Sequence, residues 1–190
     1  LLDKALRYRA YWGDKGGITV SGGEALMQME FLTELFEKAH AMGVTTCLDT
    51  SAQPFTREEP WFGDFAKLMA VTDTVLLDIK HIDDEAHRRL TRFGNANILD
   101  CARYLSDIGK PVWIRHVLVP GITDDEASLV RLHDFLCSLS NIERIDVLPY
   151  HTLGTFKYEK LGIAYPLRDT PTPTPESVAR ARNILEGTIG

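Results

Sequence analysis

Five short apolar runs in this chain each end abruptly in polar or charged residues, and this repeated ending constrains the fold more than any other feature. The runs are Ile18–Val20 before Ser21-Gly22-Gly23-Glu24, Thr46–Leu48 before Asp49-Thr50, Val75–Leu77 before Asp78-Ile79-Lys80, Trp113–Ile114 before Arg115, and Val147–Pro149 before Tyr150-His151. Their centres lie roughly 28 to 38 residues apart, about the length of one strand–helix unit. Parallel strands joined by right-handed crossovers point the same way, so the polar endings should meet at one face, where α/β active sites lie.

Apolar residues between these runs recur at helical spacing, and the alternation predicts an α/β fold with a parallel sheet, curved or open. We expect helices across residues 31–42, after Pro60, across 98–108, after a capping box formed by Thr123 and Glu126, and from Pro175. Residues 152–168 have no clear periodicity and are expected to form a long connection over a site. The 190 residues suit one domain.

Composition excludes several classes of function. The net charge of −6 without a basic run argues against nucleic-acid binding. No apolar stretch approaches the roughly 20 residues that cross a bilayer. Three dispersed cysteines suit a reducing cytoplasm. The chain starts at Leu1, in residues typical of the tail of a helix, which indicates a domain whose beginning has been removed.

The turn Ser21-Gly22-Gly23-Glu24 is the first candidate site, since it follows a strand and precedes a helix. Paired glycines allow a ligand to approach the backbone closely, and Glu24 could meet a hydroxyl or an ammonium group. The alternative is a plain tight turn between a strand and a helix.

Acidic residues end two neighbouring strands. Asp49, Thr50 and Asp78 could hold a small hard cation through oxygen atoms, or they could cap the following helices. Asp78 and Lys80 should share one face of their strand, because side chains alternate along a strand. Such a pair suits a zwitterionic ligand such as an amino acid, or an internal ion pair.

The last candidates are Arg115 and His151. Arg115 interrupts an apolar run and must be paired there, either with a neighbouring acid or with a bound carboxylate. His151 ends the last strand and could stack on a heterocycle or form a hydrogen bond with it. The remaining histidines are expected to be surface or incidental residues: His40, His81, His87, His116 and His133. The cysteines lack the spacing of a metal or cluster site and are expected in the core: Cys47, Cys101 and Cys137.

Six segments together resemble the radical S-adenosylmethionine (SAM) enzymes that activate glycyl-radical enzymes. They are Gly17–Ala25, Thr46–Thr50, Leu77–Lys80, Val112–Arg115, Val119–Gly121 and Leu148–His151. The resemblance covers nearly the whole chain. It implies a partial parallel (β/α) barrel of the radical SAM type, with about five of its six strand–helix units present in a single truncated domain.

The resemblance also implies roles for individual residues. Seven match contacts to SAM: Gly22, Gly23 and Glu24 to its amino group, Asp78, Ile79 and Lys80 to its methionyl and ribose parts, and His151 to its adenine side. Four match a monovalent-cation site beside it: Asp49, Thr50, Asp78 and the carbonyl of Leu76. Arg115 matches a catalytic-pocket residue near SAM or the peptide substrate.

In this family a reduced 4Fe–4S cluster cleaves SAM, and the resulting radical removes a hydrogen atom from a backbone glycine of a glycyl-radical enzyme such as pyruvate formate-lyase. The electron donor would be a flavodoxin or a ferredoxin. The family holds its cluster with a C-x-x-x-C-x-x-C segment that is absent here, so the chain as given should be inactive. The alternatives are a barrel that binds a nucleotide or a partner protein without chemistry, and a metal-dependent lyase or isomerase.

Overall fold

The computed structural model describes residues 1–13 and 16–187, in which strands and helices alternate. The strands are β1 (Gly17–Val20), β2 (Thr45–Thr50), β3 (Thr74–Asp78), β4 (Val112–Leu118) and β5 (Ile142–Pro149). The helices are α1 (Leu2–Leu6), α2 (Met29–Ala41), α3 (Trp61–Ala70), α4 (Asp84–Thr91), α5 (Ala96–Asp107), α6 (Glu126–Cys137), α7 (Thr155–Leu161) and α8 (Pro175–Leu185). Two short 3₁₀ turns cover Arg9–Tyr11 and Ala25–Gln28.

The five strands follow the order of the chain, β1-β2-β3-β4-β5, in one sheet. β2 pairs in parallel with β1 and with β3, with Val20 opposite Leu48 and Asp49 opposite Leu76. This order arises when every crossover advances by one strand in the same direction. The predicted α/β class and the predicted number of strands are confirmed.

Contacts divide the chain into two compact units. The first unit consists of Leu1–Ile79, Asn95–Ile114 and Leu139–Arg144. Alternation along β2 and β3 gives each strand one buried face and one half-buried face. The buried face carries Thr46, Leu48, Thr50, Val75 and Leu77, and the half-buried face carries Cys47, Asp49, Thr74, Leu76 and Asp78. Helices α2 and α3 pack against each other and contribute further core residues: Leu32, Leu35, Phe36, Phe65, Leu68 and Met69.

The second unit consists of Lys80–Gly94, Arg115–Ser138 and Ile145–Gly190. Its α6 and α8 pack against each other through apolar stripes at helical spacing. These stripes consist of Leu129, Leu132 and Leu136 on α6, and of Val178, Ala181 and Leu185 on α8. The amide of Tyr150 donates to the carbonyl of Leu118 at 3.1 Å, so β4 and β5 run beside each other here. That the whole chain forms a single domain remains a prediction.

Three local predictions were wrong. The capping box of Thr123 and Glu126 does not form, because Asp125 caps α6 by accepting from the Ser128 amide at 2.9 Å. The Thr123 hydroxyl instead donates to the carbonyl of Val117 at 2.7 Å. Residues 152–168 are not an irregular connection, since α7 lies within them. The strand predicted to end before Arg115 continues to Leu118 as β4. A further helix, α4, was not predicted.

Two expectations about side-chain burial also fail. Three of the histidines expected to be surface or incidental residues are buried and so do not lie at the surface: His81, His87 and His116. Cys101 is buried as expected, but Cys47 is half-buried and Cys137 is exposed. Within the described residues, no helix is long and apolar enough to span a membrane.

Candidate functional site

The glycine turn after β1 presents its backbone to open space. Gly22 has φ 105° and Gly23 has φ 47°, conformations that favour glycine. Both are exposed, and no atom lies within 4 Å of the place where either would carry a Cβ. A side chain at either position would therefore not clash with neighbouring atoms, and the preference for glycine comes from the positive φ angles. The glycines permit a turn with an exposed backbone, and binding of a ligand there stays a prediction.

The carboxylate of Glu24 fixes this turn to the end of β2. Its Oε1 accepts from the Leu26 amide at 3.1 Å and from the Thr50 hydroxyl at 2.5 Å. Its Oε2 accepts from the Ser51 amide at 3.0 Å and from the Ser51 hydroxyl at 2.6 Å. We call this set of four hydrogen bonds the Glu24 clamp.

The clamp changes the role expected of Glu24. An ionised carboxylate offers about four acceptor positions, and here four protein donors face them. The Glu24 side chain therefore stabilises the turn through hydrogen bonds within the protein. The exposed backbone of Gly22 and Gly23 is the part of the turn that a ligand would contact. Sequence reasoning missed Ser51, although its place after the polar ending of β2 was a signal for a hydrogen-bonding role.

The structure places the side chains of two expected cation ligands, Asp49 and Asp78, on one face of the sheet. Asp49 and its register partner Leu76 lie on the half-buried face, and Asp78 follows two residues further along β3. The Thr50 side chain lies on the buried face, where its hydroxyl donates to Glu24 and accepts from the Ala52 amide at 2.8 Å. Thr50 therefore does not join Asp49 through its hydroxyl.

Among the described residues, no group of three or more His, Cys, Asp or Glu side chains is placed to hold a metal ion. Ile79, expected to touch SAM, has its side chain in the core with 1% exposed. Only its backbone could therefore meet a ligand.

The other three expected site residues belong to the second unit. Lys80 is half-buried and lies two residues after the end of β3. Arg115 lies on the half-buried side of β4, which alternates buried and half-buried side chains throughout. His151 is exposed, and its Nδ1 accepts from the Leu153 amide at 3.3 Å. That hydrogen bond places the ring proton on Nε2, which is the atom available to donate.

The cysteines do not fit an iron–sulfur cluster. Cys47 lies in β2, Cys101 in the buried side of α5 and Cys137 at the exposed end of α6. Burial also raises the pKa of the Cys101 thiol well above its ordinary value, which opposes the thiolate that a cluster needs.

Comparisons with known proteins agree with the resemblance. Residues 1–133 match the radical SAM superfamily. The chain is 53% identical over 182 residues to the pyruvate formate-lyase-activating enzyme of Streptococcus mutans, covering 96% of this chain and 69% of that protein. It is 47% identical over 187 residues to the enzyme of the same name from Listeria monocytogenes, covering 98% and 75%.

A solved structure has the same fold. A crystal structure of a domain of pyruvate-formate lyase-activating enzyme from Bacteroides vulgatus aligns with a TM-score of 0.72 at 26% identity. The alignment covers 90% of this chain and 92% of that domain. The predicted fold of the radical SAM type is thereby confirmed.

Proposed function

This chain belongs to the radical SAM superfamily and, within it, to the family of pyruvate formate-lyase-activating enzymes, and we propose that it is the SAM-binding core of an oxidoreductase that activates a glycyl-radical enzyme. The single observation that carries the proposal is the glycine turn after β1. Its two left-handed glycines face open space, and the Glu24 clamp holds it in place.

In the proposed complex the amino group of SAM meets the backbone of the turn rather than the Glu24 side chain. A positively charged ammonium group donates hydrogen bonds, so its partners would be backbone carbonyls at the turn. The turn has room for this part of the ligand, because no atom beyond the adjacent residues lies within 4 Å of where Gly22 or Gly23 would carry a Cβ. When bound, SAM would supply the radical precursor for the reaction.

Other residues have the chemistry to bind the remaining parts of SAM. The hydroxyls of a ribose are recognised by carboxylates, and Asp78 ends β3 on its half-buried face. Lys80 would meet the carboxylate of the methionyl part, and the exposed ring of His151 would stack on adenine. We assign Arg115 to the pocket for the peptide substrate, since a guanidinium binds carboxylates and carbonyls through several donors.

The monovalent cation is a narrower proposal. Its ligands would be Asp49, Asp78 and the carbonyl of Leu76, without the hydroxyl of Thr50 that the Glu24 clamp engages. The 4Fe–4S cluster does not fit the three cysteines of these 190 residues. We propose that the chain by itself does not assemble the cluster and does not generate a radical.

The partner in this proposal is pyruvate formate-lyase or a related glycyl-radical enzyme, and the electron donor is a flavodoxin or a ferredoxin of the cytoplasm. Support for the partner comes from the names of the relatives that are about half identical to the chain. Nothing in the described residues favours a lyase or isomerase built on a metal.

Isothermal titration calorimetry tests the proposal. SAM should bind with one site per chain, and ATP should bind at least tenfold more weakly, because ATP lacks the amino acid part that the turn and Lys80 would recognise. Equal binding of the two would support the alternative of a nucleotide-binding domain. No binding of SAM at millimolar concentration would contradict the proposed function.

A further inference from the structure

Residues 153–163 of the second unit concentrate apolar surface. Five of the fifteen large apolar side chains that are exposed in the described residues fall in this short segment. They are Leu153, Phe156, Tyr158, Leu161 and Ile163. Helix α7, at the centre of the segment, buries none of its side chains. A helix so exposed obtains little stabilisation from packing within this unit.

The segment is nevertheless held in a defined conformation. The rings of Tyr158 and Tyr165 meet edge to face with centroids 4.8 Å apart. The buried Tyr150 hydroxyl lies 3.0 Å from the Tyr165 hydroxyl and 3.1 Å from the carbonyl of Leu167. Burial and the Tyr150 hydroxyl raise the pKa of Tyr165 to about 12. The tyrosines therefore anchor the segment while its apolar side chains remain exposed.

A cavity of about 530 Å³ lies between α4 and this segment. Its lining includes Arg89 and Leu90 of α4, Ile122, and Tyr158, Tyr165 and Leu167, and we call it the α4–α7 groove. Its volume is enough for several side chains of a peptide. The groove and the exposed face of α7 offer both a concave and a convex apolar surface.

The exposed helix α7 is locally basic in an acidic chain. It carries Lys157 and Lys160 but one acid, Glu159, whereas the whole chain has a net charge of −6. Lys160 also lies 5.4 Å from the centre of the Phe156 ring, so basic and apolar groups adjoin. A partner that complements this surface carries acidic side chains among apolar ones.

From this surface we infer that the α4–α7 groove and the outer face of α7 dock an acidic and apolar polypeptide surface of the glycyl-radical enzyme. The inference rests on the proposed function for the identity of that partner. A concave groove with a helix beside it suits a protein surface better than a lipid headgroup layer, which would meet only the convex face.

Binding of pyruvate formate-lyase to the 190-residue chain, measured by biolayer interferometry, tests the inference. The double variant K157E/K160E should bind at least about tenfold more weakly, because two attractions become repulsions. Its control is K38E/K67E, which changes the charge equally at exposed lysines of the first unit and should bind within about twofold of the wild type. Leu161→Asp should weaken binding similarly, and Ile108→Asp, at an exposed residue after α5, should not.

The outcomes separate the docking surface from the function. SAM titrations of the same variants should match the wild type, since α7 is not assigned to the SAM site. If the wild type binds pyruvate formate-lyase and these substitutions do not weaken that binding, the docking surface is wrong and the proposed function stays in place. No binding by the wild type would overturn the docking surface, and the SAM titration of the wild type would decide the proposed function separately. If the variants lose binding to phosphatidylglycerol vesicles but bind pyruvate formate-lyase normally, the surface binds a membrane and the proposed docking of a protein is wrong.

Discussion

Replacing Glu24 by Gln should destabilise the chain, because the Glu24 clamp depends on two acceptor oxygens. The substitution converts one oxygen into an NH₂ group, which cannot accept. Each oxygen now faces one backbone N–H and one hydroxyl, from Leu26 and Thr50 on one side and from Ser51 on the other. A hydroxyl can rotate to accept from the new NH₂, but a backbone N–H cannot.

One backbone N–H therefore loses its partner whichever way the amide turns, and the remaining hydrogen bonds lose their charge. A hydrogen bond to a charged group contributes about 1.5–3 kcal/mol, and water replaces part of it at this half-buried position. We expect the free energy of unfolding to fall by about 2 kcal/mol. SAM affinity should also fall, because the turn would no longer be held against the end of β2.

Urea unfolding followed by circular dichroism measures this change as a shift of the midpoint at constant slope. The control Glu37→Gln alters an exposed side chain of α2 and should change stability by less than about 0.5 kcal/mol. A cycle with Ser51→Ala should be non-additive by at least about 0.5 kcal/mol, since the two side chains share a hydrogen bond. If Glu24→Gln and Glu37→Gln unfold at the same urea concentration, the clamp does not stabilise the turn.

Three further predictions concern the turn, a buried histidine and the cysteines. Gly22→Ala should lower SAM affinity at least about tenfold by straining a residue at φ 105°, and calorimetry showing wild-type affinity would rule out a need for this conformation. Burial lowers the pKa of His81, against the opposing effect of Asp125, so unfolding takes up a proton as the pH falls below about 6.5. Stability should therefore be complete above that pH and decline below it towards the lower folded-state pKa, and His81→Asn should remove this part of the decline; an unchanged pH profile in urea would refute it. Iodoacetamide should label the exposed Cys137 first and the buried Cys101 only on unfolding, whereas equal labelling rates by mass spectrometry would contradict the described burial.

The parts of the fold that follow from local pattern could be predicted from the sequence. The end of β1 at Val20 and the start of α8 at Pro175 occur as predicted, because each depends on residues close together in the chain. The end of β4 does not, since the strand continues through Arg115 to Leu118. The α4 helix escaped prediction because its sequence is mostly charged and has little apolar periodicity. Helix α7 escaped because its apolar residues do not form a stripe that is buried within the chain.

The candidate site was predicted less completely for a different reason. The sequence placed Glu24, Asp49 and Thr50 near each other through the rule for parallel strands, but it could not decide what each side chain contacts. Strand alternation turns Thr50 to the buried face, away from Asp49, and this brings its hydroxyl to Glu24. Whether the Glu24 carboxylate meets donors of the protein or a ligand depends on distances between residues far apart in the chain, and a sequence pattern does not give those distances.

Hydrogen–deuterium exchange of the chain with and without saturating SAM is the most direct test of the claim that SAM binds at the glycine turn. Peptides that contain Gly22 and Gly23 should exchange more slowly with SAM, and peptides from α6 should be unchanged. If SAM binds but slows exchange only outside the glycine turn and the ends of β2 and β3, the assignment of the site is wrong.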